Sequence, residues 1–170
     1  MNIVELFNNG KFEGAESSNP KHVITAISNV FIFDTKVYKI YKDDSDFFNK
    51  NFNDLSNKEN RFDFTQKDFE WNNKLSPEIY TDLKGIKVEN DEIVFVEPDN
   101  NADELVIIMN KFDQDNVLIN RLVDNKITKE DCYHIGLKVG EREKTLPTNA
   151  PDIDLYEDFL SRCKDMKPWG

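Results

Sequence analysis

Apolar and β-branched residues dominate the segment from His22 to Lys42, a pattern typical of β-strands. The three runs are HVITAI, NVFIF and KVYKIYK. The dipeptides SN and DT, which lie between them, are turn candidates. This segment is therefore predicted to form a meander of three strands.

A helical pattern precedes the meander. Ile3, Val4 and Phe7 would share one side of a short amphipathic helix. This helix would extend from Asn2 to Asn9, with Gly10 as its stop. The following stretch GKFEGAESSNPKH is predicted to be a loop because of its Gly, Ser, Asn and Pro content.

A long helix is predicted after the meander. Ser56 and Glu59 have the S-x-x-E spacing of a capping box, in which each side chain satisfies a free backbone N–H of the first turn. Pro77 would end the helix near Leu75, because the residue before a proline disfavours helical backbone. The predicted buried side of the helix consists of Phe62, Phe69, Trp71 and Leu75.

The rest of the chain alternates between strand and helix patterns. GIKV, EIVFVE and ELVIIMNKF resemble strands, and the last two are predicted to form a hairpin. Helices are expected from Asn116 to Val123, from Lys129 to Val139 with Thr128 and Asp131 at its start, and around Leu155 to Cys163. The predicted class is α+β, with a five-stranded antiparallel sheet and one long helix after the third strand.

The composition indicates one globular unit and limits its partners. A chain of 170 residues with thirteen Phe can bury a core. Its net charge of -11 argues against nucleic acid or an anionic membrane as the main partner. No apolar window is long enough for a membrane span, and the N-terminus lacks the basic region of a signal peptide. Cys132 and Cys163 do not form a CxxC motif, which favours reduced thiols and a cytoplasmic location.

Lys39 lies in the middle of an otherwise apolar strand. Side chains alternate along a strand, so Val37, Lys39 and Tyr41 share one face. One interpretation is an edge-strand lysine that deters aggregation or extends its charge to solvent. The other is anion binding, because protein kinases hold nucleotide phosphates with a lysine on the third strand and an acid on the following helix.

Three blocks of sequence extend this second interpretation to a family. They are ISNVFIFDTKVYKIYK, NDLSNKENRFDFTQKDFEWNNKLSPEIY and ELVIIMNKFDQDNVLINRLVDNKITKED, within residues 22–138. In these blocks the chain resembles the N-terminal part of the aminoglycoside phosphotransferase-like branch of the kinase fold. It is most similar to a bacterial family in which such a domain is fused to a P-loop ATP-binding domain. The resemblance implies a kinase-like N-terminal lobe in residues 1–112 and, in residues 113–170, the helices that begin an incomplete C-terminal lobe.

The resemblance also implies a lysine that anchors phosphate. Lys39 would contact the α- and β-phosphates of a nucleotide, and Val37 would cover the adenine. The family position of the acid that pairs with this lysine falls on Asp68, and Glu70 is the nearby alternative. The other interpretation of both acids is a solvated helix face.

Five further residues are assigned to the nucleotide by the same resemblance. Ser28 and Asn29 would form a turn over the phosphates, since the sequence has no G-x-G-x-x-G loop. Met109 would lie at the back of the adenine pocket. Asn110 and Lys111 would be the hinge whose backbone hydrogen-bonds the base.

The catalytic residues of a kinase fold are missing from this sequence. His22 and His134 are not followed by the Gly-Asp or Arg-Asp of a catalytic loop, so both are interpreted as structural or surface residues. Asp152 and Asp154 precede a predicted helix and are interpreted as N-capping acids rather than metal ligands. The Walker A motif is absent as well. No catalytic residue and no metal ligand are therefore assigned.

The predicted function is that of the nucleotide-binding lobe of an ATP-dependent small-molecule phosphotransferase, as a fragment of a longer reading frame. ATP and Mg²⁺ are the implied cofactors, the acceptor is unknown, and a missing C-terminal lobe or a partner chain would complete the enzyme. The alternative is a non-catalytic module of the same fold that binds a nucleotide or a protein. A third interpretation is an acidic α+β domain that shares only the fold.

Overall fold

The computed structural model of the chain describes residues 2–113, 115, 117–145 and 160. It contains two compact units, residues 1–126 and 127–170, so the predicted boundary at residue 112 falls inside the first unit. The helices and strands in chain order are α1 (Ile3–Asn8), β1 (Lys21–Ile24), β2 (Ser28–Ile32), β3 (Lys36–Tyr41), α2 (Asp46–Asn51), α3 (Lys58–Leu75), β4 (Tyr80–Glu89), β5 (Glu92–Val96), β6 (Glu104–Asn110), α4 (Leu118–Val123) and α5 (Lys129–Glu143).

One antiparallel sheet organises the first unit, and its six strands lie in the order β1-β2-β3-β6-β4-β5. The α+β class is confirmed, but the predicted count of five strands is wrong. All six strand-like runs of the sequence form strands, and β4, which contains the GIKV run, pairs with β5 in a hairpin. Asn90 and Asp91 make its turn with φ of 51° and 61°, a backbone conformation that these two residue types tolerate.

The predicted hairpin between β5 and β6 is also wrong. Strand β6 pairs with β3 on one side and with β4 on the other, which makes it a central strand. Its consecutive apolar residues Leu105, Val106 and Ile107 are all buried. An uninterrupted apolar run of this kind is typical of a strand covered on both faces of the sheet.

The two faces of the sheet carry different helices. The face that includes Phe31 and Tyr38 packs against α1, where the Phe7 ring stacks on Phe31 with 4.8 Å between centroids. The opposite face, called the inner face here, includes the registered rows Val30–Lys39–Ile107 and Ile32–Val37–Met109. Helix α3 packs on one half of this inner face through Phe64 and Phe69.

Helix α3 begins one residue later than predicted and has a different cap. The Asn57 side chain accepts a hydrogen bond from the Asn60 N–H at 3.0 Å, and Ser56 bonds to Asp54 instead of closing a capping box with Glu59. Asn is among the strongest N-capping residues, so it replaces Ser56 at this position. The predicted end of the helix at Leu75 is confirmed.

The buried side of α3 was predicted only in part. Phe62 is buried and Phe69 packs against the sheet, but Trp71 and Leu75 are 53% and 48% exposed. Helical spacing explains the difference, because Arg61, Phe62 and Thr65 define a buried stripe to which Trp71 does not belong.

The predicted short helices are present within the described residues. Helix α1 has Asn2 as its N-cap, and Gly10 follows it with φ of 61°. In the second unit, α5 opens with a capping box between Thr128 and Asp131. The helix predicted around Leu155 to Cys163 and the acids Asp152 and Asp154 lie outside the described residues, apart from the helical Leu160. None of the described helices has the length and apolar composition needed to cross a bilayer.

Candidate functional site: a groove beside a paired lysine

Lys39 is not on an edge strand, because β3 lies between β2 and β6. Its Nζ donates to Oδ2 of Asp68 on α3 at 3.0 Å and to the hydroxyl of Tyr41 at 2.7 Å. The Lys39 and Asp68 side chains are only 20% and 22% exposed. Glu70, the other candidate acid, is an exposed residue of α3. The helix that packs on the inner face therefore supplies the counter-charge of a lysine held inside the sheet.

Asn72 and Tyr41 both interact with the Asp68 carboxylate. Asn72, one helical turn later on α3, donates from Nδ2 to Asp68 Oδ1 at 3.0 Å. Burial, and secondarily the negative charge of Asp68, raises the pKa of Tyr41 far above its ordinary value, so the phenol stays neutral. We call Lys39, Tyr41, Asp68 and Asn72 the lysine cluster.

Sequence reasoning assigned no role to Tyr41 or Asn72. Their spacing carried a signal nevertheless. Tyr41 lies two residues from Lys39 on one strand face, and Asn72 lies four residues from Asp68 on one helix side.

A groove of about 700 Å³ opens on the half of the inner face that α3 leaves uncovered. Four residues predicted to contact a nucleotide line it together, namely Val37, Met109, Asn110 and Lys111. Val30 and Ile32 of β2 extend its apolar surface. Lys39 borders this surface, since it pairs with Val30 and lies two residues from Val37 on the same strand.

The loop before β1 forms another wall of the groove. Ser17, Asn19 and Pro20 line it, followed by Lys21 at the start of β1. Glu16 fastens this loop to the turn between β2 and β3, because its carboxylate accepts from the Thr35 N–H at 2.8 Å and from the Thr35 hydroxyl. The groove thus combines an apolar surface with a polar rim.

The prediction that Ser28 and Asn29 form a turn is wrong, since they are the first residues of β2. The loop between β1 and β2 lies at residues 25–27, where Oγ1 of Thr25 accepts from the Ser28 N–H at 2.9 Å and so fixes an earlier turn. Ser28 is buried, and its hydroxyl bonds to that of Thr25. The Asn29 side chain bonds to Nε2 of His22 at 2.9 Å.

The predicted hinge residues use their backbone N–H groups inside the protein. The N–H of Asn110 donates to the Ile79 carbonyl and that of Lys111 to the Thr35 carbonyl, each at 2.8 Å. The Asn110 side chain is engaged as well, because it accepts from Lys36 Nζ at 2.7 Å and donates to the Glu78 carbonyl at 2.8 Å. A base in the groove could not take a hydrogen bond from either N–H while the sheet stays intact.

The histidines and acids of the described residues do not assemble a metal site. No group of three or more His, Cys, Asp or Glu in these residues is placed to hold an ion. His22 stacks on Phe31 with 4.5 Å between ring centroids, and His134 is exposed on α5. Both positions agree with their interpretation as structural and surface residues.

Comparison with known proteins gives no relative for this chain, since no family model, curated protein or solved structure matches it. The kinase-like resemblance therefore stays a prediction based on the three sequence blocks.

Proposed function

We propose that the first unit binds a nucleoside triphosphate in the groove, as the nucleotide-binding lobe of an ATP-dependent small-molecule phosphotransferase. The observation that supports this most directly is the Lys39–Asp68 ion pair at the border of an uncovered apolar groove. Ligand sites are typically concave and mostly apolar, with a few polar groups that orient the ligand.

The apolar part of the groove suits a purine. Ile32, Val37 and Met109 form one registered row on three neighbouring strands, and they offer an apolar surface to one face of a base. Burying about 100 Å² of apolar ligand surface on them would contribute roughly 2.5 kcal/mol. This contribution is too small alone for tight binding, so charged contacts to the phosphates must add to it.

Lys39 can make such a contact without leaving its partners. An ammonium group has three donors, and Asp68 and Tyr41 use two of them. The third is available for a phosphate oxygen, while Asp68 holds the amine in position. Val30 and Val37 line the groove, and both adjoin Lys39. The phosphates of a nucleotide whose base packs on these two valines would therefore lie within reach of the lysine.

The described residues contain no cluster of three candidate metal ligands. Mg²⁺ that accompanies a nucleotide is held mainly by the phosphates and by one or two carboxylates. We assign the phosphates to Lys39 and no residue to the metal. We also assign no residue to the acceptor, because acceptor specificity in the family that the sequence resembles resides largely in the second lobe.

A non-catalytic module that binds a protein is the second candidate function. It is favoured by α4, where Leu118, Ile119, Leu122 and Val123 are all at least 45% exposed. Contiguous exposed apolar side chains of this kind often mark an interface. This candidate predicts that the protein self-associates or binds a partner protein through α4. The Lys39→Ala substitution should not change that association.

Calorimetric titration of Mg²⁺-ATP at fixed salt tests the nucleotide proposal. The Lys39→Ala variant is expected to bind at least about tenfold more weakly than the wild type, because a hydrogen bond to a charged group contributes about 1.5–3 kcal/mol. Lys87→Ala, on β4 and outside the groove lining, is the matched control and should bind normally.

A second pair of variants tests the acid. Asp68→Ala should weaken binding because Lys39 loses the carboxylate that positions its ammonium group, whereas Glu70→Ala on the exposed side of α3 should not. Absence of ATP binding by the wild type, or equal affinities of wild type and Lys39→Ala, would contradict the proposal.

A further inference from the structure

Asn19 occupies an unusual position in the wall of the groove. Its φ is 89°, a left-handed conformation that is uncommon for a residue other than glycine and occurs more often with Asn. Its N–H donates to the Asn8 carbonyl at 2.9 Å, and the next residue, Pro20, is buried. The backbone that carries the Asn19 side chain is therefore fixed from both sides.

The rest of this loop is held equally closely. Gly10 has φ of 61°, and a Cβ atom at that position would lie only 2.4 Å from the Ser17 carbonyl oxygen. The loop can approach α1 only because this residue is glycine. Together with the bonds of Glu16 to Thr35, this contact makes the loop a preformed wall, which lowers the entropy cost of binding.

The Asn19 side chain differs from the other amide of the groove. Asn110 uses both ends of its amide inside the protein. Asn19 is exposed and lines the groove, and among the described residues its amide has no hydrogen-bond partner. It therefore offers two N–H donors and one acceptor oxygen to a ligand.

A base in the groove needs such a partner. The N–H groups of Asn110 and Lys111 are already used within the protein, so they cannot recognise it. An Asn amide matches adenine, which presents its 6-amino donor beside a ring-nitrogen acceptor. It matches guanine poorly, because O6 and N7 of guanine are both acceptors.

We infer that the Asn19 amide reads the edge of the base and makes the groove prefer adenine over guanine nucleotides. This inference rests on the proposed nucleotide site and identifies a specificity-determining residue for it. The residue lies in the loop before β1, outside the segments that carry the family resemblance.

The test compares ATP and GTP affinities of the wild type with those of Asn19→Gly. Glycine removes the amide and accepts the positive φ, so the loop keeps its backbone. Asn90→Gly is the matched control, because Asn90 also has a positive φ but lies in the β4–β5 turn, away from the groove lining. We expect the wild type and the control to prefer ATP by about tenfold or more, and Asn19→Gly to prefer it by less than about threefold.

A ligand analogue gives a second measurement that does not depend on the folding of a variant. Purine riboside triphosphate is ATP without the 6-amino group. The wild type should bind it several-fold more weakly than ATP. In Asn19→Gly the difference in affinity between the two ligands should shrink. The loss of affinity when variant and analogue are combined should therefore be smaller than the product of the fold-losses that each change causes alone.

The outcomes separate this inference from the proposal on which it rests. If Lys39→Ala abolishes ATP binding while Asn19→Gly keeps the full ATP preference, the inference fails and the nucleotide site stands. An equal loss of ATP and GTP affinity in Asn19→Gly, or no preference in the wild type, also overturns it. If the wild type binds neither nucleotide, both fail together.

Discussion

At the scale of single residues, the lysine cluster shows how one strand position can hold a charge inside a sheet. Lys39 lies over the Tyr41 ring, with Nζ 4.6 Å from the ring centroid, and also bonds to its hydroxyl. Tyr41 in turn packs edge-on against Phe64 of α3. The cation is therefore stabilised by an aromatic face, a neutral hydroxyl and a carboxylate, and each of them is fixed by its own packing.

Tyr41 leads to a prediction at alkaline pH. Because burial and then Asp68 raise its folded-state pKa, its contribution to stability is fully present below the ordinary tyrosine value of 10.0. As the pH rises above that value, the unfolded chain ionises and the contribution is lost, at about 1.4 kcal/mol per pH unit for one proton. Urea unfolding between pH 9 and 11 should show that the free energy of unfolding falls less for Tyr41→Phe than for the wild type.

The exposed Tyr133 of α5 provides the control for this measurement. Tyr133→Phe should leave the alkaline fall in stability unchanged. Identical pH dependence in the wild type and in Tyr41→Phe would show that the ionisation of Tyr41 is not coupled to folding.

At the scale of elements, local signals were sufficient for some features and insufficient for others. Thr128 and Asp131 cap α5 as predicted because a capping box depends on residues three apart. The pairing of β6 could not be read in the same way, because its partners β3 and β4 are distant in sequence and an apolar run fits several sheet positions. Asn19 was missed since a single loop Asn gives no periodic signal.

The loop before β1 is expected to loosen in acid. Burial tends to raise the pKa of Glu16, but hydrogen bonds from Thr35, Lys36 and Asp34 outweigh it and lower the pKa below 4.5. The bonds are therefore complete above that pH and are lost as the pH falls through the lowered folded-state pKa. Hydrogen exchange at the Thr35 amide should accelerate in that range.

The same exchange measurement at neutral pH separates Glu16 from its neighbours. Glu16→Ala should accelerate exchange at Thr35 because the acceptor is gone, and Glu13→Ala, an exposed acid of the same loop, should not. Unchanged protection in Glu16→Ala would mean that another contact holds the loop.

At the scale of the whole molecule, a second and more deeply buried ion pair joins α3 to the sheet. Arg61 of α3 and Glu104 of β6 are 7% and 8% exposed, and Nη2 of Arg61 lies 2.8 Å from Glu104 Oε2. Arg61 also donates to the Leu55 carbonyl, and Glu104 Oε1 accepts from the Leu105 N–H. This network positions α3, and with it Asp68, over the inner face.

Removing one partner of this pair should destabilise the first unit. Glu104→Ala leaves the Arg61 charge buried without its counter-ion, so we expect a loss of about 3–5 kcal/mol in the free energy of unfolding. The double variant Arg61→Met/Glu104→Leu removes both charges and should recover most of that loss. Denaturant unfolding measures both, and a double variant no more stable than Glu104→Ala would contradict the explanation.

The central place of β6 also affects how the chain folds. This strand comes late in the sequence but pairs with β3, so Lys36 meets Asn110 only after the chain between them has closed into a loop. Such non-local contacts slow folding, because their entropy cost is incurred before any contact compensates it. During synthesis, the β1–β3 meander and the β4–β5 hairpin must wait for residues 104–110 to join them. The groove, which has β3 on one side of that junction and β6 on the other, is therefore completed in the same step that closes the sheet.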